Sequence, residues 1–157
     1  MPIISNQIRF GANSILKPTS IPAFRFGEGI SRNIFLVEDE QMLIDGLEAA
    51  LTKRRPHKFL GVAKTEAEAQ TMIPRFVNQA DAKLLLDNDL GRESHQRGAG
   101  ERLLAYIKET FPQVLPRVIW HARSSLPSGY ASLGVQECKK GRPVSDLNDV
   151  IESEIQA

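Results

Sequence analysis

The chain has 157 residues, a length typical of one domain built around a single hydrophobic core. Twenty lysines and arginines almost balance nineteen aspartates and glutamates, so the formal net charge is +1 and we expect no binding to nucleic acid or to a membrane surface. One cysteine, Cys138, excludes an internal disulfide, and the lack of a long apolar run or a secretory signal predicts a cytoplasmic protein.

The first 31 residues differ from the rest of the chain. Prolines and glycines separate isolated apolar residues there, and no period of 2 or 3.6 residues persists. We therefore predict an N-terminal extension over residues 1–31, mobile or loosely docked, followed by one domain over residues 32–157.

Short apolar runs alternate with amphipathic segments along the remainder of the chain. The runs predict strands at 33–37, 58–63, 83–86, 117–121 and 135–139. The segments between them predict helices, one capped by Thr65 and the last capped by Ser145, while any helix over 124–134 is expected to be short. Five β-α repeats predict a parallel sheet with helices on both faces.

Acidic residues follow two of these strands. Leu84, Leu85 and Leu86 form a run typical of a strand buried on both faces, and Asp87 comes directly after it. Glu38 and Asp39 follow the first strand in the same way. Ligands of open α/β sheets gather at the carboxyl ends of the strands, so neighbouring positions for these two strands would bring three carboxylates together. Such a cluster is typical of a Mg²⁺ site.

A site of this kind is suited to phosphoryl chemistry. Mg²⁺ neutralises charge on a transferring phosphoryl group, and an aspartate can itself become an aspartyl-phosphate. A lysine nearby would pair with the phosphoryl charge, and Lys139 and Lys140, at the end of the last predicted strand, are the candidates. Asp89 is either an outer group of this site or a turn aspartate, and we favour the turn.

Three motifs together resemble a response-regulator receiver domain over about residues 33–156. They are Val37-Glu38-Asp39-Glu40 with Leu43 and Leu47, Leu84-Leu85-Leu86-Asp87, and Gly100-Glu101-Arg102-Leu103-Leu104. The resemblance implies a flavodoxin-like, doubly wound, five-stranded parallel sheet of order 2-1-3-4-5 and phosphotransfer from a histidine kinase or a histidine phosphotransfer protein. It implies the following roles: phosphoacceptor for Asp87, metal ligands for Glu38, Asp39 and Asp87, and invariant lysine for Lys140.

Other positions depart from the receiver pattern. His121 stands where receivers usually carry serine or threonine, and Cys138 stands nearest the usual aromatic residue of the fifth strand. His121 is either a hydrogen-bond donor to a phosphoryl group, with a charge that depends on pH near neutrality, or a half-buried histidine at a strand end. His57 and His95 are expected at the surface.

Three functions follow. The first is a stand-alone receiver that is phosphorylated on Asp87 with Mg²⁺ and signals to a downstream protein, without turnover of a separate substrate. The second is a receiver-like interaction module that is not phosphorylated. The third, a minor alternative, is a haloacid-dehalogenase-like phosphatase in which Asp87 attacks and Asp89 acts as acid and base. The stripe of Leu147, Ile151 and Ile155 serves either the core or a homodimer interface.

Overall fold

A computed structural model describes residues 30–53 and 55–155 of the chain. Five strands form one sheet in which every pair is parallel, in the order β2-β1-β3-β4-β5. The strands are β1 (Asn33–Val37), β2 (Lys58–Ala63), β3 (Lys83–Leu86), β4 (Val118–Trp120) and β5 (Gln136–Glu137). The predicted fold class and strand order are confirmed.

Four α-helices connect or follow the strands. They are α1 (Gln41–Lys53), α2 (Glu66–Val77), α3 (Ala99–Thr110) and α4 (Val144–Glu152). Between β4 and β5 a short 3-10 turn, Ala131–Leu133, interrupts the alternation of strands and α-helices, which confirms the prediction that any helix over 124–134 is short. The interruption is local, since Pro127 cannot donate a helical hydrogen bond and Gly129 adopts a φ of 94°.

Both faces of the sheet are covered, because successive side chains of a strand point to opposite faces. On one face, Phe35, Leu84 and Trp120 pack with α2 and α3 in the larger core cluster. On the other, Leu36 and Leu85 pack with α1 and α4 in the smaller one. Burial on both sides explains why the central strands read as unbroken apolar runs.

Helix ends agree with the sequence prediction at one place and differ at another. The Thr65 side chain accepts a hydrogen bond of 3.1 Å from the Glu68 N–H, so the predicted cap of α2 is confirmed. The predicted cap of α4 is wrong, because that helix begins one residue before Ser145 and Pro143 occupies the N-cap position without a side-chain bond.

The predicted surface position of His57 is also wrong, because α4 covers this side chain. Only 3% of His57 is exposed, and its two ring nitrogens lie 3.1 Å from the Arg32 backbone nitrogen and 2.8 Å from Asn148 Oδ1. The predicted extension, residues 1–31, lies outside the described residues apart from its last two. Within 30–53 and 55–155, the helices are too short or too polar to cross a bilayer.

Candidate functional site

The register of β1 and β3 brings the acidic residues together. Val37 pairs with Leu86, and the Asp87 N–H donates to the Val37 carbonyl at 3.1 Å, so the two strands end side by side. Carboxylate oxygens of Glu38, Asp39 and Asp87 consequently lie within 4.8 Å of one another. These are the three residues that the sequence predicted to converge.

Lys140 completes this cluster from the other half of the sheet. Its backbone N–H donates to the Ala122 carbonyl at 3.1 Å, just beyond the pairing of β4 with β5. Its ammonium nitrogen lies 2.8 Å from Asp87 Oδ2 and 2.6 Å from Glu38 Oε2. Lys139, the other candidate, is exposed. Of the two lysines, Lys140 is therefore the one that faces the carboxylates.

The pKa values of Asp39, Asp87 and Lys140 are all shifted in this cluster. Burial raises the pKa of the Asp87 carboxyl, and the hydrogen bond from Lys140 opposes this rise. Burial also raises the pKa of Asp39, and the neighbouring Glu38 adds to that effect. Burial alone would lower the pKa of Lys140, but its close contacts with the carboxylates of Asp87 and Glu38 outweigh this and raise it. The cluster thus holds three carboxylates and one ammonium, which contacts two of them, so an added cation would offset the remaining negative charge.

The donor set fits a hard divalent cation. Among the described residues, the buried oxygen Glu38 Oε2 has no hydrogen-bond partner. The Lys140 nitrogen forms an ion pair with this oxygen at 2.6 Å. A buried carboxylate oxygen without a hydrogen bond, beside two further carboxylates, matches the oxygen ligands that Mg²⁺ prefers.

The cluster opens into a cavity of about 450 Å³. Besides Glu38, Asp39, Asp87 and Lys140, its lining includes Glu40, Asn88, Asp89, Arg92, Arg123 and Ser124. Arginines on the rim and a lysine at the base make this cavity able to hold an anion next to a cation.

Asn88, which the sequence analysis did not single out, ties the end of β3 to its surroundings. Its side-chain amide donates to Ser124 Oγ at 3.3 Å, and its carbonyl oxygen Oδ1 accepts from the Glu101 N–H at 3.1 Å. The start of α3 packs so closely here that a Cβ on Gly100 would overlap the Asp87 carbonyl oxygen. Gly100 belongs to the third receiver-like motif, and this contact gives the physical reason for a glycine there.

His121 and Asp89, the two other candidates from the sequence, do not contact the carboxylate cluster in the way that Lys140 does. His121 is 8% exposed, and the described residues that line the cavity do not include it. Burial and the charge of Lys140 lower the pKa of His121 to about 4, so its ring is neutral at physiological pH. Asp89 is exposed and accepts a 2.8 Å hydrogen bond from the Gly98 N–H, which matches the turn interpretation.

No protein-family model and no curated protein matches this sequence. Solved structures do match its fold. The RcsB response regulator of Salmonella typhimurium superposes with a TM-score of 0.58 at 19% identity, over 76% of this chain and 57% of RcsB. A CheY-like receiver domain protein from Methanospirillum hungatei JF-1 gives 0.57 at 19% identity, over 76% of this chain and 90% of that one. The Mn²⁺-bound response regulator Rcp1 gives 0.52 at 20% identity, over 77% and 89%.

The chain therefore has the fold of response-regulator receiver domains, and the resemblance predicted from the three motifs is confirmed at the level of the fold. The chain spans less than two thirds of the RcsB structures that it matches, between 57% and 65% of their length.

Proposed function

We propose that this protein is a receiver that accepts a phosphoryl group on Asp87 in a Mg²⁺-dependent reaction. One observation carries the proposal: the Lys140 ammonium bridges Asp87 and Glu38, while Asp39 lies within reach of the same point. A nucleophile, a charge partner for the phosphoryl group and oxygen ligands for a cation thus share one cavity.

The reaction is an in-line displacement at phosphorus. A carboxylate oxygen of Asp87 forms the new P–O bond as the bond between phosphorus and the donor breaks, and the departing electron pair stays on the donor. With a phosphohistidine donor that pair returns to an imidazole nitrogen, which then takes up a proton. Lys140, already 2.8 Å from Asp87 Oδ2, would follow the charge onto the phosphoryl oxygens.

Glu38, Asp39 and Asp87 would hold the Mg²⁺. The bound cation supplies neutralisation of the charge that develops on the phosphoryl oxygens. The buried oxygen Glu38 Oε2, which accepts no hydrogen bond from the described residues, supports this assignment, as does the Mn²⁺ reported for the structurally similar Rcp1.

The partners we propose follow from the same chemistry. The donor is a histidine kinase or a histidine phosphotransfer protein, and the phosphorylated form acts on a downstream protein in the cytoplasm. We propose no contact with nucleic acid or membrane, since the chain's formal net charge is only +1. We also propose that the domain works as a stand-alone receiver. Leu147 and Ile151 are buried in its own core, so these two residues of the stripe serve the core and do not form a homodimer interface.

The test is phosphorylation with a small-molecule donor. Protein incubated with Mg²⁺ and acetyl phosphate is expected to gain the mass of one phosphoryl group that is sensitive to hydroxylamine. Asp87→Asn should abolish the gain, and the matched variant Asp89→Asn should retain it, because Asp89 belongs to the turn. A wild-type protein that gains no mass under these conditions would exclude the proposal. Turnover of a generic phosphate ester by the wild type that is lost in Asp89→Asn would instead favour the phosphatase alternative.

A second function is favoured by the departures around His121. The ring is buried and neutral, and the segment between β4 and β5 lacks the helix expected from the β-α repeat. A receiver-like module that binds its partner without phosphorylation would fit these features. In that case Asp87→Asn would leave partner affinity unchanged, whereas the first proposal predicts an affinity that depends on phosphorylation.

A further inference from the structure

We propose that Ser124, rather than His121, supplies the hydrogen bond from the β4–β5 segment to the phosphoryl group on Asp87. This inference rests on the proposed function, since it assigns a contact to the phosphorylated state of the same site. Ser124 follows β4 by four residues, beyond the position at which receivers usually carry the hydroxyl.

The first argument is position. Ser124 lines the cavity that also contains Asp87 and Lys140, whereas His121 does not line it. The Ser124 hydroxyl lies 3.3 Å from Nδ2 of Asn88, the residue that follows Asp87 in the chain. The Ser124 hydroxyl is therefore hydrogen-bonded to the residue next to the proposed phosphoacceptor.

The second argument is the direction of that hydrogen bond. Asn88 Nδ2 donates and the Ser124 oxygen accepts, so the hydroxyl hydrogen is still available. Within the described part of the chain, the Ser124 hydroxyl donates to no acceptor. A phosphoryl oxygen in the cavity would supply one, and a charge-assisted bond of this kind is stronger than a bond to water.

The third argument is how the segment is held. The indole N–H of Trp120, which is fully buried, donates to the Ser124 carbonyl oxygen at 2.9 Å. This bond fixes the Ser124 backbone to the end of β4, so the hydroxyl does not depend on a mobile loop for its position. Trp120 is the only tryptophan in the sequence, and its fluorescence reports directly on this contact.

The experiment measures binding of the phosphoryl mimic BeF₃⁻ in the presence of Mg²⁺. Calorimetric titration of Ser124→Ala should show about tenfold weaker binding than the wild type, the value expected for one lost hydrogen bond. Ser124→Thr, which keeps a hydroxyl, should restore the affinity. In the wild type BeF₃⁻ should also change the Trp120 emission, and this change should shrink in Ser124→Ala.

Two matched variants give the controls. Ser125→Ala removes the adjacent hydroxyl, which does not line the cavity, and His121→Gln removes the competing group; both should bind BeF₃⁻ as the wild type does. Equal affinities for Ser124→Ala and Ser125→Ala, or a loss confined to His121→Gln, would overturn the inference. Failure of the proposed function is distinguishable, since the wild type itself would then bind no BeF₃⁻ and gain no phosphoryl group.

Discussion

The two ends of the sheet differ in the sign of their buried charge and in the groups that neutralise it. At the carboxyl end of β1 and β3, the acidic cluster of Glu38, Asp39 and Asp87 shares one lysine and opens into a cavity. At the opposite end, Lys83 and Arg32 are buried against the last turn of α4 and donate mainly to neutral acceptors. The acidic end retains unsatisfied charge and can bind a ligand, whereas the basic end uses its cations to close the fold.

Lys83 and Lys140, one at each end of the sheet, show this difference in their contacts and in the directions of their pKa shifts. The Lys83 ammonium lies 2.8 Å from the Val150 carbonyl oxygen and 3.0 Å from both oxygens of Ser153. Among the described residues no carboxylate contacts it, and burial, together with the charge of Arg32, lowers the pKa of Lys83 to about 7. Lys140, in contrast, is half-buried, and two carboxylates raise its pKa. The partner of a buried lysine, and not burial alone, decides which protonation state the fold favours.

The largest expected effect is a pH dependence at Lys83. Its folded pKa of about 7 lies below the usual value of 10.5, so the unfolded chain binds more protons between these values and stability rises with pH. Relative to Lys83→Met, the free energy of unfolding of the wild type should grow by up to about 1.4 kcal/mol per pH unit from pH 7 to 10. Urea unfolding across this range measures it.

Lys58→Met is the matched control, since Lys58 is also the first residue of a strand but is exposed. Its difference from the wild type should stay constant with pH. For Lys140 the pH dependence of stability has the opposite sign. Its pKa is raised in the folded state, so its contribution to stability is present below pH 10.5 and is lost as the pH rises further. A constant difference for Lys83→Met would contradict the comparison of the two ends.

The next effect concerns the acidic end. Lys140→Met should lower the free energy of unfolding by about 2–3 kcal/mol in EDTA, because Glu38 and Asp87 lose their counter-charge in a largely buried place. Millimolar Mg²⁺ should stabilise this variant more than the wild type, since the cation and the ammonium compete for the same carboxylates. Thermal unfolding with and without Mg²⁺ measures both, and Lys139→Met should resemble the wild type. Equal Mg²⁺ stabilisation of all three proteins would argue against a shared site.

The smallest expected effect tests the close packing of α3 against the end of β3. Gly100→Ala should cost about 1–3 kcal/mol of stability, because the new methyl group would meet the backbone of Asp87 and Asn88. Gly46→Ala, within α1 and with open space around its Cβ position, should instead stabilise by about 0.5–1 kcal/mol. Chemical denaturation of the two variants compares them directly. A similar change in both would mean that the contact between α3 and the end of β3 is looser than described.

The acidic cluster was predictable because it depends on strand ends. Continuous apolar runs identify strands buried on both faces, and the residue after such a run lies at the edge of the sheet where ligands gather. The choice of Lys140 over Lys139 was less secure, since a shift of one residue in register turns every side chain to the other face. The resemblance to receivers made that choice, and the position of the ammonium agrees with it.

By itself, the sequence determined the parallel sheet and placed Glu38, Asp39 and Asp87 at strand ends, since periodicity and strand ends are local properties of the chain. The strand order, and with it the meeting of the three acids, was an expectation from the resemblance to receivers. Only the tertiary structure decided that His57 and Lys83 are buried, because α4, distant in sequence, covers them. It also decided that Ser124 faces the cavity while His121 does not. The physical reason is common to these cases: a local pattern tells which residues avoid water, but the groups that contact a polar side chain come from elements far along the chain.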